Sequence, residues 1–241
     1  DPALLPLLPG PVQELALHTA GGMVRFHAKA GRYGYRYELL SGEDMGHMPR
    51  TGSAGLDVYA GSGAEMRFIR STQPACRTVT ASGEFTLPQE EDVTFYLPLY
   101  NGIRRLELGF ETAPARPAVP YRFSRPIVFY GSSITHGGNA SVPSGTYAFR
   151  LARKLGYDLI NLGCAGSCQM DEAMASYIGS RDDWDMALFE LGINVIETWD
   201  GDRLYGKALA FLAAVLEARP DKQVFVTDMY YNRYDFEGDK R

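Results

Sequence analysis

A chain of 241 residues in which 45% are hydrophobic can bury a sizeable core, and it is long enough for one large domain or two ordinary ones. The formal net charge of −5 argues against nucleic acid as the main partner. The sequence has no Lys/Arg block, no charged-then-apolar leader and no apolar run near about 18 residues, so we predict no membrane span and no intact signal peptide. We expect a cytoplasmic protein, with secretion as the alternative. The chain begins with Asp1 rather than Met, which fits a start that was processed or lies upstream.

Residues 12–112 have the pattern of an all-β domain. Apolar and polar side chains alternate over several short stretches, and glycine or proline residues separate these stretches. The clearest alternation is at residues 23–28, 33–37, 65–69 and 93–97. Short strands at such spacing are typical of a β-sandwich or jelly-roll, so we predict a β-sandwich domain over residues 1–113.

The period of the hydrophobic pattern changes after a proline-rich segment at residues 114–124, which has the composition of a linker. Apolar strands then alternate with helices, and we predict the strands at residues 126–130, 158–162, 186–191 and 223–228. This order predicts a parallel sheet with helices on both faces. We therefore assign residues 125–241 to a flavodoxin-like, three-layer α/β/α domain, and the fold class of the whole chain to α/β with an N-terminal all-β sandwich.

Two helices of the α/β region have apolar residues at helical spacing. The first follows the first strand, ends near Gly156, and carries Tyr147, Leu151 and Leu155 on its predicted buried face. The second covers about residues 203–218 and ends before a proline. Its predicted buried face consists of Leu204, Ala208, Phe211, Leu212 and Val215.

Turns of small and polar residues follow the first three strands of this region and contain Ser133, Gly166 and Asn194 respectively. The carboxyl ends of neighbouring parallel strands meet at one edge of a sheet, so we expect these residues to share a site. Acyl transfer needs a nucleophilic hydroxyl and hydrogen-bond donors where the oxyanion develops. A glycine N–H and an asparagine carboxamide are suitable donors.

The turn at residues 131–135 is neither a phosphate-binding loop nor the nucleophile elbow of α/β-hydrolases. No Gly-Lys-Ser/Thr follows its glycine, and Thr135 stands where the elbow has its last glycine. The sequence Gly-Ser-Ser-Ile-Thr instead resembles block I, Gly-Asp-Ser-Ile/Leu, of the GDSL (SGNH) hydrolases. This resemblance implies that Ser133 is the nucleophile, and it places Ser132 where the family has aspartate.

Further motifs extend the resemblance. Residues 161–167 resemble block II, which implies an oxyanion-binding N–H at Gly166, and Gly192-Ile-Asn194 resembles block III, which implies a donor side chain at Asn194. Val195 replaces the aspartate of block III. In the sandwich, Gly55-Leu-Asp-Val-Tyr59 and residues 96–102 resemble the Gly-x-Asp-Leu-Tyr segment and the following strand of a two-domain branch of this family.

The family's fourth block, Asp-x-x-His-Pro, supplies the general base and the carboxylate that orients it. The α/β region has no Asp-x-x-His pair, and its only histidine is His136, three residues after Ser133. We expect the base to lie beyond Arg241. We predict that His136 lines the mouth of the site or caps the following helix, and we assign His136 and Ser132 to substrate binding.

The resemblance implies carboxylester hydrolysis, often deacetylation of carbohydrates. We predict a serine esterase that acts on a small-molecule or carbohydrate ester through an acyl-enzyme. The alternatives are an acyltransferase that passes the acyl group to a small-molecule hydroxyl, and a non-catalytic glycan-binding protein. We predict no cofactor, no metal, and no nucleic-acid or membrane partner, and the oligomeric state stays open. The three cysteines form no disulfide framework, and we expect Cys164 and Cys168 to serve packing rather than metal or redox chemistry.

Overall fold

The computed structural model describes residue 3 and residues 5–111, 116–227, 229–232 and 235–236. Residues 112–115, which cover the end of the predicted sandwich and the first two residues of the predicted linker, lie outside the described residues. The same holds for Asp228, at the end of the fourth predicted strand, and for residues 237–241.

Two antiparallel sheets form the N-terminal part and confirm the predicted sandwich. The first has four strands in the order β1-β6-β3-β4, which are β1 (Met23–Ala28), β6 (Glu91–Tyr96), β3 (Asp57–Ala60) and β4 (Arg67–Ser71). The second has three strands in the order β5-β2-β7, which are β5 (Thr80–Leu87), β2 (Gly31–Leu39) and β7 (Ile103–Phe110). Two short helices accompany them, α1 (Gly10–Leu15) and α2 (Arg50–Ser53).

Aromatic side chains from both sheets fill the core of the sandwich. On β2, Tyr33, Tyr35 and Tyr37 point inward at every second residue, as the alternation in the sequence predicts. From the facing sheet, the Phe95 ring lies 5.3 Å from the Tyr35 ring in a T-shaped arrangement. Such edge-to-face pairs add to the hydrophobic stabilisation of the core.

The C-terminal part is built on a parallel four-stranded sheet in the order β11-β10-β8-β9. Its strands are β8 (Ile127–Gly131), β9 (Leu159–Gly163), β10 (Met186–Glu190) and β11 (Gln223–Thr227). The helices are α3 (Ser133–His136), α4 (Tyr147–Leu155), α5 (Glu172–Ser180) and α6 (Gly201–Ala218). This arrangement confirms the predicted fold class.

Strand β8 lies inside the sheet and is buried along its whole length. Ile127 and Phe129 face a cluster that includes α4 and the sandwich residues Tyr96 and Leu99, whereas Val128 and Tyr130 face a cluster that includes α5 and α6. Both faces are therefore apolar, which explains the continuous hydrophobic run.

The predicted buried face of α6 is confirmed, whereas that of α4 is confirmed only in part. Tyr147 and Leu151 are half-buried against the core. Phe211 and Val215 of α6 are buried in the core. On α4 the buried side chains are Ala148, Phe149 and Ala152, while Leu155, which we placed inside, is 41% exposed. The small alanines leave room for the helix to approach the sheet closely.

The sandwich packs directly against the α/β part. The Tyr96 ring at the end of β6 lies 4.7 Å from the Phe149 ring of α4, in a T-shaped arrangement. Asp57, at the start of β3, is fully buried, and its Oδ2 accepts hydrogen bonds from the backbone N–H of Ser144 at 2.9 Å and from its hydroxyl at 2.6 Å. Burial raises the pKa of the Asp57 carboxyl, and the bonds from Ser144 oppose that shift.

These contacts give the Gly55–Tyr59 segment a definite structural role: its aspartate holds the loop at Ser144, which follows the turn at residues 131–135. The two parts share a core, yet each has its own sheet or sheets, and we keep residues 114–124 as our proposed boundary. No helix within the described residues is long and apolar enough to cross a membrane.

We predict that Asp57→Ala destabilises the protein by about 3 kcal/mol, because a buried N–H and a buried hydroxyl lose their charged acceptor. Ser144→Ala is the matched control and should cost about 1 kcal/mol, since it removes the hydroxyl but leaves the N–H bond to Asp57. Urea unfolding followed by tryptophan fluorescence measures both. Equal losses in the two variants would contradict the role that we give to Asp57.

Candidate active site

The turn after β8 is shaped by a serine at one end of α3 and a glycine at the other. Ser132 is the N-cap residue of α3, and its Oγ accepts the backbone N–H of Ile134 at 3.2 Å. Gly137 ends this four-residue helix in the left-handed region with φ 119°. A Cβ on Gly131 would lie 2.3 Å from Thr135 Oγ1, so the turn requires glycine there.

Ser133 is the first residue of α3 and is partly exposed. Its carbonyl accepts the N–H groups of Gly137 at 2.9 Å and Gly138 at 2.6 Å, and the Tyr100 hydroxyl donates to it at 3.4 Å. Among the described residues, the Ser133 hydroxyl itself makes no hydrogen bond. The backbone of Ser133 is therefore tightly held, while its hydroxyl is free to react.

Asn194 lies in the loop after β10, and its side chain is fixed at one end. Asn194 Oδ1 accepts the backbone N–H of Cys168 at 3.0 Å. Because a backbone N–H can only donate, the oxygen must occupy this position, and the Nδ2 group must point the other way. The contact also ties the loop after β9 to the loop after β10.

Gly166 lies in the turn between Cys164 and Ser167, which is closed by a 2.8 Å hydrogen bond from Ser167 N–H to the Cys164 carbonyl. Gly166 has φ 70°, which explains the glycine, and a Cβ there would meet no atom within 4 Å.

The strand register brings these three turns to one edge of the sheet. Gly131 of β8 is paired with Gly163 of β9, and Tyr130 is paired with Phe189 of β10. The N–H of Cys164 then donates to the Gly131 carbonyl at 2.7 Å, which holds the first and second turns together. Ser133, Gly166 and Asn194 therefore follow the carboxyl ends of three adjacent strands.

Our sequence analysis missed Glu190, the last residue of β10. It is 1% exposed, and its Oε2 accepts the backbone N–H of Ser132 at 2.7 Å and the Ser132 hydroxyl at 2.6 Å. The Thr135 hydroxyl donates to the same oxygen at 3.1 Å. A carboxylate inside the apolar run of residues 186–191 was the signal in the sequence.

The structure contradicts the assignment of Ser132 and His136 to substrate contact. Ser132 is fully buried and bonded to Glu190, and His136 is 2% exposed. Both ring nitrogens of His136 lie 2.7 Å from backbone carbonyls, those of Gly163 and Leu99. Burial lowers the pKa of His136, while the two carbonyl contacts raise it. Both side chains therefore stabilise the turn from its buried side.

His18 and His47 lack the features of a general base at this turn. The His18 ring lies 5.5 Å from the His136 ring, and burial followed by the charge of His136 lowers its pKa to about 4. The Asp-x-x-His spacing does occur in the sandwich, at Asp44 and His47, but Asp44 is paired with Arg50 at 2.5 Å and His47 is exposed. His136, the histidine nearest in sequence to Ser133, contacts carbonyls and no carboxylate.

A cleft of about 520 Å³ lies between the sandwich and the loop after β9. Its wall includes Ala165, next to Gly166, and Tyr100, whose hydroxyl reaches the Ser133 carbonyl. The cleft therefore reaches the turn after β9, next to Gly166. Exposed carboxylates at Glu14, Glu43 and Asp44 lie on its rim.

We found no cluster of three or more His, Cys, Asp or Glu side chains with metal-binding geometry in the described part of the chain. Cys164 and Cys168 flank the second turn and are buried. Burial raises the pKa of each thiol to about 12, which disfavours the reactive thiolate.

Two family profiles match the sequence, one on each side of the linker. Residues 4–114 match the family described as "N-terminus of Esterase_SGNH_hydro-type", which carries the Gly-x-Asp-Leu-Tyr motif. Residues 124–237 match the GDSL-like Lipase/Acylhydrolase family. The chain is of the two-domain SGNH/GDSL type.

Solved structures agree with this SGNH/GDSL assignment. A protein from Bacteroides ovatus described as a GDSL-like lipase superposes with a TM-score of 0.81 at 25% identity, over 94% of this chain and 66% of that chain. A salicylyl-acyltransferase from a tetracycline biosynthetic pathway superposes with a TM-score of 0.70 at 20% identity, over 93% of this chain and 62% of that chain. A family two carbohydrate esterase from Clostridium thermocellum, in complex with cellohexaose, gives a TM-score of 0.55 at 14% identity, over 93% of this chain and 81% of that chain.

This SGNH/GDSL chain thus spans less than two thirds of the length of the lipase-like protein and of the acyltransferase. The likeness to the acyltransferase and to the carbohydrate esterase concerns the fold alone. A comparison with curated proteins gave no match.

Proposed function

We propose that this SGNH/GDSL protein is a serine esterase that works through an acyl-enzyme, with Ser133 as the nucleophile. The observation that carries the proposal is the free, partly exposed Ser133 hydroxyl on a rigid turn between two donor-bearing loops. A rigid backbone with a free hydroxyl suits a nucleophile, because the reacting atom is held near its partner before the reaction.

In the proposed first step, Ser133 Oγ attacks the ester carbonyl carbon, and the carbonyl oxygen becomes an oxyanion. The N–H groups of Ser133 and Gly166 and the Nδ2 group of Asn194 would donate to that oxyanion. The anchored Oδ1 of Asn194 supports this role, since it turns Nδ2 away from Cys168. Collapse of the intermediate expels the alcohol and leaves the acyl group on Ser133, and water then releases it.

The proton of the Ser133 hydroxyl needs an acceptor, and we assign this step to no described residue. Near the turn, His136 is engaged by two carbonyls, and burial opposes protonation of both His136 and His18. The chain's own contribution is therefore the nucleophile, the proposed donors and the surrounding cleft.

We propose small, hydroxyl-rich esters such as acetylated carbohydrates as substrates. The cleft between the sandwich and the loop after β9 offers the Tyr100 ring and polar groups next to the proposed donors. Carboxylates on its rim disfavour anionic substrates, because like charges repel. The fold shared with a carbohydrate esterase agrees with this substrate class.

Acyl transfer to an alcohol is the second candidate, because the same acyl-enzyme serves both reactions. The cleft is formed by both parts of the chain and has the volume to hold an acceptor next to the acyl group. The acyltransferase fold, matched at a TM-score of 0.70, also favours this candidate. Product analysis with added acceptor alcohols separates transfer from hydrolysis.

We predict that Ser133→Ala lowers the kcat for p-nitrophenyl acetate by ~10⁴–10⁶-fold in the full-length protein, because no acyl-enzyme can form. Ser141→Ala, an exposed serine in the following loop, is the matched control and should keep wild-type turnover. Retained turnover in Ser133→Ala would overturn the assignment of Ser133 as the nucleophile.

We predict that Asn194→Ala lowers kcat by ~10²–10³-fold with a smaller change in KM, because the donor acts mainly when negative charge develops. Asn194→Asp is the sharper test, since it keeps an oxygen for the Cys168 N–H, replaces the donor by a second acceptor oxygen and adds a negative charge that repels the oxyanion. It should be at least as slow as Asn194→Ala while its melting temperature stays close to that of the wild type. A rise in KM alone would place Asn194 in ground-state binding instead.

A further inference from the structure

We infer that Glu190 is the positioning residue of the nucleophile turn, an inference that rests on the proposed role of Ser133. Glu190 ends β10, which pairs with β8, and it precedes Asn194 by four residues. Its side chain crosses from one strand end to the next and reaches the turn beneath Ser133. A carboxylate is costly to bury, so its place at this point calls for a function.

The Glu190 carboxylate binds the residues on both sides of Ser133. Its Oε2 accepts two hydrogen bonds from Ser132, one from the N–H at 2.7 Å and one from the hydroxyl at 2.6 Å. It accepts a third from the Thr135 hydroxyl at 3.1 Å. One oxygen atom thereby fixes the residue before and the second residue after the nucleophile.

These bonds also set the direction of the Ser132, Thr135 and Tyr147 hydroxyls. Since Ser132 gives its proton to Glu190, its oxygen is left to accept the Ile134 N–H at 3.2 Å. Since Thr135 also gives its proton to Glu190, the Tyr147 hydroxyl, 2.8 Å away, must donate to Thr135. The result is one ordered chain of hydrogen bonds, and such chains strengthen their members.

The space around the carboxylate allows little movement. A Cβ on Gly131 would lie 2.7 Å from Glu190 Oε2, so the carboxylate occupies the volume that a larger residue would fill. The other oxygen, Oε1, is buried and has no hydrogen-bond partner among the described residues. A buried atom left without a partner costs free energy, and its retention at this position fits a functional constraint.

The position of Ser133 depends on this support because α3 is only four residues long. A single helical turn is unstable in isolation, since its few hydrogen bonds do not offset the ordering of the backbone. By bonding to Ser132 and Thr135, Glu190 orients both the N–H and the Oγ of Ser133. These two groups are the proposed oxyanion donor and the proposed nucleophile. Loss of these hydrogen bonds from Glu190 should lower the rate of the chemical step more than the affinity for substrate.

The test is Glu190→Gln in the full-length protein, with kcat expressed per reactive serine after titration with a fluorophosphonate. Glutamine cannot replace the carboxylate, because its NH₂ group either faces the three donors or occupies the buried site of Oε1 without an acceptor. We expect kcat per titrated site to fall roughly 10- to 100-fold, the scale of a small misplacement of a reacting group, with KM within about 2-fold. A merely structural role would lower the number of titratable sites and leave kcat per site unchanged.

Two milder variants keep the test decisive if Glu190→Gln does not fold. Ser132→Ala and Thr135→Val each remove one hydroxyl donor and keep the carboxylate, and each should lower kcat per site by roughly 10-fold or less. Thr135→Ser restores the hydroxyl and should restore the rate. Glu217→Gln, at an exposed carboxylate on α6, is the control and should behave as wild type.

The outcomes separate this inference from the proposed function. Turnover that survives Ser133→Ala overturns the nucleophile assignment itself. Turnover that depends on Ser133, but has a wild-type kcat per site in Glu190→Gln or in both milder variants, overturns only the role of Glu190. A lower kcat per site with an unchanged KM, rescued by Thr135→Ser in the threonine series, supports it.

Discussion

The proposed site depends on contacts from the rest of the chain that stabilise the turn after β8, because the helix in this turn is too short to be stable on its own. Helix α3 has four residues, and its first residue carries the proposed nucleophile. Three neighbours fix it from different directions: the Glu190 carboxylate from β10, the Gly163 carbonyl at the end of β9, and the Leu99 carbonyl from the sandwich. The His136 ring lies 2.7 Å from both of these carbonyls, and in its neutral form it donates to one of them at a time. The ring therefore packs between the sandwich and the parallel sheet. The turn therefore depends on contacts from the rest of the protein as well as on its own serine and glycine residues.

This arrangement explains why a β-sandwich accompanies the α/β domain. Its Asp57 holds the loop around Ser144, its Leu99 carbonyl accepts His136, and its Tyr100 hydroxyl reaches the Ser133 carbonyl. It also forms one wall of the cleft beside the proposed donors. The sandwich is thus part of the site's framework, and the family resemblance of its Gly55–Tyr59 segment reflects a contact between domains.

Local patterns in the sequence predicted much of this fold. The unbroken apolar run of β8 predicted a strand buried on both faces, and the turns at Ser133, Gly166 and Asn194 follow adjacent strand ends because parallel strands share one carboxyl edge. The hydrophobic spacing was less informative where packing against another element determines which side chains are buried. On α4, the spacing pointed to Tyr147 and Leu151, which are half-buried, and to Leu155, which is exposed. The fully buried residues of this helix are Ala148, Phe149 and Ala152. His136 and Glu190 were misjudged or missed because the partners that bury them lie 27 to 58 residues away in the sequence.

Mass spectrometry of the intact full-length protein shows directly whether Ser133 forms a covalent acyl-enzyme. After brief reaction with a p-nitrophenyl ester and acid quench, we expect the protein to carry one added acyl group. Tandem mass spectrometry of the tryptic peptide at residues 123–150 should place that group on Ser133 rather than on Ser132. An adduct on Ser132 or on a residue elsewhere, or no adduct while hydrolysis proceeds, would contradict the role of Ser133 as the acylated nucleophile.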